Sequence, residues 1–472
     1  MEYNLFQNKD IDILLVNPPP WNVDIPPLGI ATLSSFLRDS GIKSTILDIN
    51  IDLYHRLNKS LRFLFGMDTQ EYWIGLKGIR ELVNINPFLD EYTEDILRHN
   101  PKIVGFSAHN PREFFTIELI KRIRKKSSAL ILIGGGAAQN KETRNIFTKD
   151  LLGIKDICFI LGDGEPTTLE LIRKVLKNES IKGIEGIIYW DSTGEIEHKP
   201  RVQQSNLDGI YFPDYLEFDL AKYRLPKNIQ LEWSRGCIAN CVFCQVRSIN
   251  GKYRIKSGKK RFEEFKYLFD TYGIDTVTLT DSLINGNVQE LEIFCDLTDR
   301  SNVRLRWSGQ VLASLNMTAA LFNKMKKAGC YRLEFGVETG SDFVLRKMKK
   351  PASIKIIEQN LKDCKAAGIM VVVYIIIGFP GEDEEEFSKT LEFMERNKDV
   401  IDLVRSYRQP YLAPGAYMDS HEQEYGIVRT IGDKLGNKWS TKENTYEIRM
   451  NRIKRFSEKI AELGIKGELF DH

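Results

Sequence analysis

Hydrophobic residues fall into short, β-branched runs separated by stretches with helical spacing. IDILLVN (11–17), a strand near 44–48, IVGFSAH (103–109), ALILIGGG (129–136) and ICFILG (157–162) are strand candidates, and a helical stretch such as LGIATLSSFLRDSG follows the first of them. Strand and helix in alternation predict a parallel sheet covered on both faces, a doubly wound, Rossmann-like α/β domain. An aromatic-rich segment at 51–99 interrupts the rhythm as a helical insertion, and DSTG (191–194) suits the turn of a closing hairpin. Between about 205 and 228, Asn206, Asp208, Gly209, Pro213, Asp214 and Pro226 mark a connecting segment.

The pattern then restarts. IQLEWS (229–234), DTVTLT (275–280), VRLRWS (303–308), YRLEFGVE (331–338), MVVVYIII (370–377) and DLVRSYR (402–408) are each followed by helical or loop sequence. Six such units predict a partial (β/α)6 barrel with its chemistry at the C-terminal ends of the strands. Charged helical sequence, including TYEIRMNRIKRFSEKIAELG, follows position 410. The expected organisation is therefore 1–205, 206–410 and a small, mostly helical C-terminal cap at 411–472.

Composition changes this picture little. A net charge of +2 over 472 residues gives no global attraction to nucleic acid or to an anionic membrane. The basic stretch RSINGKYRIKSGKKRFEEFK (247–266) lacks an aromatic platform and is read as a solvated loop and helix entry, so no nucleic-acid partner is expected. The polar start MEYNLFQNKD and the longest apolar run, IMVVVYIII (369–377), offer neither a signal h-region nor a membrane span, which leads to the expectation of a cytoplasmic protein without a membrane partner.

Candidate chemistry enters with RGCIANCVFC (235–244), which places Cys237, Cys241 and Cys244 on one loop after the first barrel strand. Three thiolates can hold three irons of a cubane and leave the fourth open to another ligand. Zinc would need a fourth donor, yet no histidine occurs between His198 and His421 and the next cysteine is Cys295. A redox pair of Cys241 and Cys244 would leave Cys237 idle. The other four cysteines, Cys158, Cys295, Cys330 and Cys364, lie in apolar patterns as small hydrophobes.

CxxxCxxC in this position resembles the radical S-adenosylmethionine (radical SAM) superfamily, and three further segments extend the likeness: TDSLING (280–286), FGVETGS (335–341) and IIGFPGE (376–382). The resemblance implies a 4Fe-4S cluster on the three cysteines and SAM on its open iron, cleaved reductively to a 5′-deoxyadenosyl radical. It implies SAM contacts from Asp281, Ser282, Glu338, Ser341 and Gly378, and a reductant such as flavodoxin or ferredoxin. Taken singly, Ser341 with Glu338 could equally cap the helix that follows, and Gly378, Pro380 and Gly381 could form an ordinary turn.

The first half is similar to the cobalamin-binding domain of one branch of these enzymes, through NPPPWNVDIPPLG (17–29), GFSAHN (105–110), IGGG (133–136) and LGDGEPTTLELI (161–172). That likeness implies cobalamin at the strand ends, with Ser107, Gly134, Gly135 and Gly136 beside its nucleotide tail. Many cobalamin proteins carry D-x-H-x-x-G after the first strand, with histidine on cobalt; here Pro26 stands at the histidine position, so a ligating imidazole from this loop is not expected, and His109 is the remaining local candidate.

The function implied is C-methylation of an unactivated carbon in a small molecule or peptide. Radical rearrangement, cyclisation or epimerisation without methyl transfer, and a non-catalytic corrinoid- or metal-binding sensor, are the alternatives. A methylthiotransferase fits less well because no additional N-terminal cysteine triad is present.

Overall fold

The computed structural model describes residues 11–109, 111–151, 156–191, 194–197, 199–210, 212–430 and 438–468. Asn110 of GFSAHN and Ser192 and Thr193 of DSTG lie outside the described residues. The chain divides into two compact units, one of residues 1–204 with 209–229 and one of 205–208 with 230–472.

In the first unit, β1 (Ile13–Val16), β2 (Ser44–Leu47), β3 (Ile103–Ser107), β4 (Leu130–Gly134), β5 (Ile157–Ile160), β6 (Ile187–Asp191) and β7 (Gly194–Glu197) form one sheet in the order β2-β1-β3-β4-β5-β6-β7. Pairing is parallel through β5 and antiparallel for β6 and β7. Every residue of β1 and β5 is buried, as expected for strands with helices on both faces. Strand order reverses between β1 and β3, so the topological switch point, where doubly wound sheets open a crevice, lies at the ends of those two strands. The insertion is helical, with segments at Ile49–Arg56, Lys59–Phe65, Met67–Leu76, Lys77–Leu82 and Asn86–Arg98. It is anchored by Trp73, whose buried indole N–H donates to the Leu64 carbonyl at 2.7 Å.

In the second unit, β8 (Asn228–Leu231) is followed by a short antiparallel pair, β9 (Ser234–Arg235) with β10 (Arg254–Ile255), which brackets the cysteine loop. Then come β11 (Thr276–Leu279), β12 (Arg306–Val311), β13 (Cys330–Glu338), β14 (Met370–Ile376) and β15 (Leu403–Arg408). A two-stranded ribbon, β16 (Val428–Arg429) with β17 (Trp439–Ser440), and β18 (Lys466–Gly467) follow. The main sheet runs β18-β15-β14-β13-β12-β11-β8, sequential neighbours in the manner of a partial barrel. Beneath β8 and β12 the core is aromatic, with Trp233 packed on Phe265, Phe294 and Trp307. β12 begins three residues later than its hydrophobic run suggested, because Val303 and Leu305 are buried before the ladder starts.

Residues beyond 410 belong to the second unit, where β18 adds a strand to the main sheet beside β15 and the helix Tyr446–Glu462 packs against it, the Tyr407 ring tilted against that of Phe456.

Candidate functional site

The loop after β9 turns at Gly236, whose φ of 83° and whose closeness to Lys252 O, 2.7 Å from where a Cβ would stand, leave room only for glycine. Cys237, Cys241 and Cys244 follow as free, half-buried thiols. The loop is held on two sides at Val242, whose N–H donates to Met348 O at 3.1 Å and whose carbonyl accepts from Met418 N–H at 2.9 Å. Val242 also sits in a buried apolar cluster with Val344, Met348, Phe379, Met418 and Trp439. Burial pushes the Cys241 thiol up to about 11, opposed by the nearby Lys350 ammonium and reinforced by Glu338 and the other two cysteines. Burial also raises Cys244, against the pull of the Val246 N–H. Thiols held protonated in this way ionise when a cation arrives, as metal ligands must. Among the described residues no group of three or more His, Cys, Asp or Glu could hold a metal ion. Three donors that each meet a different iron of a cubane need not converge on one point.

Glu338 ends β13 next to this loop. It has a left-handed backbone, φ 70°, follows an irregularity in the β13/β14 ladder, and makes a buried 2.8 Å ion pair with Lys350. A non-glycine residue in that conformation costs about 1–3 kcal/mol and persists where its side chain must be aimed. Lys350 was not legible as a site residue: it is the last of a run of basic residues at a helix end, and only the fold brings it to the cysteines.

The other expected SAM contacts are placed differently from one another. Asp281 is buried and faces the first strand end, accepting from Trp233 N–H at 3.0 Å and lying 2.6 Å from Ser234 Oγ. Burial raises its carboxyl to about 6 despite those hydrogen bonds. Ser282 is half-buried. Ser341 is fully buried, caps the helix Asp342–Lys347 by accepting from Val344 N–H at 3.1 Å, and donates to Glu386. Its hydroxyl is therefore engaged within the protein.

Gly378 turns with φ 83°, and a Cβ there would meet the Arg449 side chain at 2.3 Å. Its N–H donates to the buried Glu382 carboxylate. The C-terminal segment clasps this turn. Asn444 Nδ2 donates to Phe379 O and Glu382 O at 3.1 and 2.9 Å, Arg452 donates to Glu382 O at 3.0 Å, and Arg449 stacks on Trp439 at 4.0 Å.

Burial holds the Glu382 carboxyl up at about 8, against the Gly378 N–H and Arg452. A folded-state value above the unfolded one means that this contribution to stability is complete below about 4.5 and is lost as pH rises through about 8. The melting temperature is thus expected to fall between pH 5 and about 8, and Glu382→Gln to flatten that fall, which thermal denaturation of both proteins across this range checks.

At the switch point of the first unit, Ser107 is half-buried at the end of β3 and Gly134 ends β4. Gly135 and Gly136 lie against His109: a Cβ on either would come within 2.9 Å of an imidazole nitrogen. His109 Nδ1 accepts the Gly136 N–H at 3.2 Å, and its ring stacks on Trp21 with centroids 4.9 Å apart. Burial, aided by Arg112, lowers the imidazole to about 3, so it is neutral. Pro26 is buried and offers no donor. Sequence reasoning missed Arg112, a fully buried guanidinium that donates to Pro20 O, Asn17 Oδ1 and Ser107 O at 3.0, 3.0 and 2.9 Å and lies 4.1 Å from the Trp21 ring. Its Nη2 is buried without a hydrogen-bond partner. Gly135 and Gly136 make room for the His109 ring, and the unsatisfied Arg112 donor beside it fits a ligand rich in amide and phosphate oxygens.

Residues 231–394, which carry the cysteine loop and Glu338, match the sequence model of the Radical SAM superfamily, so the second unit is a radical SAM domain. Over both units, the chain is 24% identical across 437 residues to the "uncharacterized methyltransferase PH0819" of Pyrococcus horikoshii, spanning 90% of this chain and 84% of that protein. It is 25% identical across 434 residues to the cytidylyl-2-hydroxyethylphosphonate methyltransferase of Streptomyces wedmorensis, spanning 81% of this chain and 77% of the other. The fold is that of the radical SAM methyltransferase TsrM from Kitasatospora setae, solved with cobalamin and a [4Fe-4S] cluster, with a TM-score of 0.69 and 19% identity over 90% of this chain and 76% of that one. A second TsrM structure contains tryptophan substrate and a SAM analogue. The Radical SAM match is confined to residues 231–394, while the two relatives and the TsrM fold extend over both units. Among the described residues no helix is long and apolar enough to cross a membrane.

Proposed function

We propose that this enzyme is a cobalamin-dependent radical SAM methyltransferase that methylates an unactivated carbon of a small molecule or peptide. The observation that carries the reading is the loop of three free cysteines at the end of the first barrel strand, beside Glu338 and Lys350, in a chain whose other unit leaves the buried Arg112 Nη2 without a partner near its own strand ends. Its relatives named as methyltransferases and the cofactors in TsrM support it.

Cys237, Cys241 and Cys244 would hold the cluster, and Glu338, Ser282 and the Gly378 backbone would contact SAM. When bound, the cluster with SAM supplies reductive one-electron cleavage and cobalamin supplies methyl carriage. Asp281 and Ser341, held by Trp233 and Glu386, would border the same SAM site. The buried cluster around Val242, Phe379 and Trp439 keeps water from one side of the cysteine loop. Ser107 and Gly134–Gly136 would line the cobalamin tail. An external reductant of the flavodoxin or ferredoxin type would deliver electrons.

The test is methyl transfer from SAM carrying a deuterated methyl group. Label in the product, with S-adenosylhomocysteine and 5′-deoxyadenosine released together, supports the reading; 5′-deoxyadenosine with an unlabelled product would assign rearrangement or cyclisation instead.

Two further outcomes follow from the geometry. Glu338→Gln is expected to weaken SAM binding by about tenfold or more, the scale of a charge-assisted hydrogen bond, while iron content stays constant. Equal loss of both would indicate a folding defect. His109 is expected to stay off cobalt because its Nδ1 accepts the Gly136 N–H, which leaves the proton of the neutral ring on Nε2 and no free lone pair there. The electron paramagnetic resonance spectrum of bound Co(II) should therefore lack a nitrogen hyperfine pattern that vanishes in His109→Ala.

A further inference from the structure

The inner face of the second sheet carries a charged group of side chains that the cysteine loop does not use. Glu334 lies on β13, four residues and about 13 Å of strand from Glu338 at the cofactor end. It is only 6% exposed. Arg405 and Arg332 converge on its Oε1 at 2.7 and 3.2 Å, and Tyr374 Oη donates to Oε2 at 2.5 Å. Two irregularities in the ladder supply these groups. A register shift between β14 and β15 leaves Arg405 without a cross-strand partner, and one between β12 and β13 does the same for Tyr331. Bulges re-aim side chains and gather at sites of binding. The Tyr331 ring lies under the guanidinium of Arg306 at 4.4 Å and near that of Arg332 at 5.5 Å.

This cluster holds more cation than an internal ion pair requires. Two guanidiniums meet the buried Glu334 carboxylate, Glu468 lies 3.5 Å from Arg405 Nε, and Arg306 adds a third guanidinium over the same Tyr331 ring as Arg332. Arg306 is exposed and, among the described residues, has no acidic partner. The Nε of Arg332 is buried with no hydrogen-bond partner, so one donor points at an acceptor that the protein does not provide. Gln310 on the neighbouring strand β12 is exposed, which shows that the inner face is not filled by side chains like the interior of a closed barrel.

We propose that Arg306 and Arg332 form an anion-receiving pocket on this inner face, which takes a carboxylate or phosphate group of the substrate while Glu334, braced by Arg405 and Tyr374, holds the Arg332 guanidinium in place. Arginine forks match both anions bidentately, and the distance to Glu338 sets how far the anionic group stands from the reacting carbon. The inference rests on the radical SAM reading of the second unit, since it treats the lumen as the substrate cavity.

The experiment is calorimetric titration of the cluster-reconstituted, SAM-loaded enzyme with inorganic phosphate and, separately, with acetate at constant ionic strength. One saturable site per chain is expected for at least one anion; tighter phosphate assigns a phosphorylated substrate and tighter acetate a carboxylate. Arg306→Gln, which removes only a stacking contact, and Arg332→Gln are each expected to weaken that site by about tenfold. Absence of saturable binding by either anion, or binding that neither variant alters, overturns the proposal. Reductive release of 5′-deoxyadenosine is measured on the same unaltered sample. Its absence would defeat the radical SAM reading, whereas its presence without anion binding defeats the pocket alone.

Discussion

Alanine at any one of Cys237, Cys241 or Cys244 is expected to abolish reductive cleavage of SAM and to lower iron from about four per chain, because a cubane that has already left one iron open cannot stay correctly held by two thiolates. The loop itself should survive the change. Val242 is anchored through its backbone to Met348 and Met418, and these bonds do not involve sulfur. The variants are therefore expected to keep the melting temperature of unaltered apoprotein, and the comparison is made by circular dichroism beside iron analysis and quantification of 5′-deoxyadenosine. Undiminished 5′-deoxyadenosine from the triple variant would mean that the cluster is held elsewhere. Alanine at Cys295 or Cys364, both buried on helices, should leave SAM cleavage in place.

The second large effect is expected at Trp439, far from the cysteines in sequence. Its side chain is fully buried, donates from Nε1 to Pro410 O at 3.2 Å, carries Arg449 on its face and packs in the same cluster as Val242 and Phe379. Trp439→Ala should cost about 3–5 kcal/mol, the usual result of emptying a large aromatic site in a core. Because that core backs both the cysteine loop and the Gly378 turn, iron retention and SAM affinity should fall together, unlike the selective loss at Glu338. Denaturant titration with parallel iron analysis checks this. Loss of stability with full iron retention would show that the C-terminal segment does not support the cluster.

These two positions mark what was legible in the sequence. The cysteine triad announced itself because metal chemistry restricts residue type and spacing together, and the alternation of strand and helix is a direct consequence of burying both faces of a parallel sheet. Segment order was legible for the same reason. The partners of each segment were not. Ser341 has the same letter whether it meets a ribose or caps a helix, and only the fold shows it held by Val344 and Glu386. Asp281 accepts from Trp233 N–H, a contact 48 residues away in the chain that no local pattern announces. Lys350, Arg112 and Arg449 acquire their surroundings through contacts distant in the chain, and a basic residue near a helix end or in a loop carries no local sign of burial. The segment after 410 gave a helical pattern, but its joining of the second sheet through β18 depends on two residues, Lys466 and Gly467, too few for periodicity to register.

The most direct measurement is the electron paramagnetic resonance spectrum of the anaerobically reconstituted, reduced protein recorded with and without SAM. A reduced 4Fe-4S signal that shifts when SAM is added, and that is missing from the triple alanine variant at Cys237, Cys241 and Cys244, is the predicted result. A cluster signal indifferent to SAM, or one that persists in the triple variant, would contradict the account.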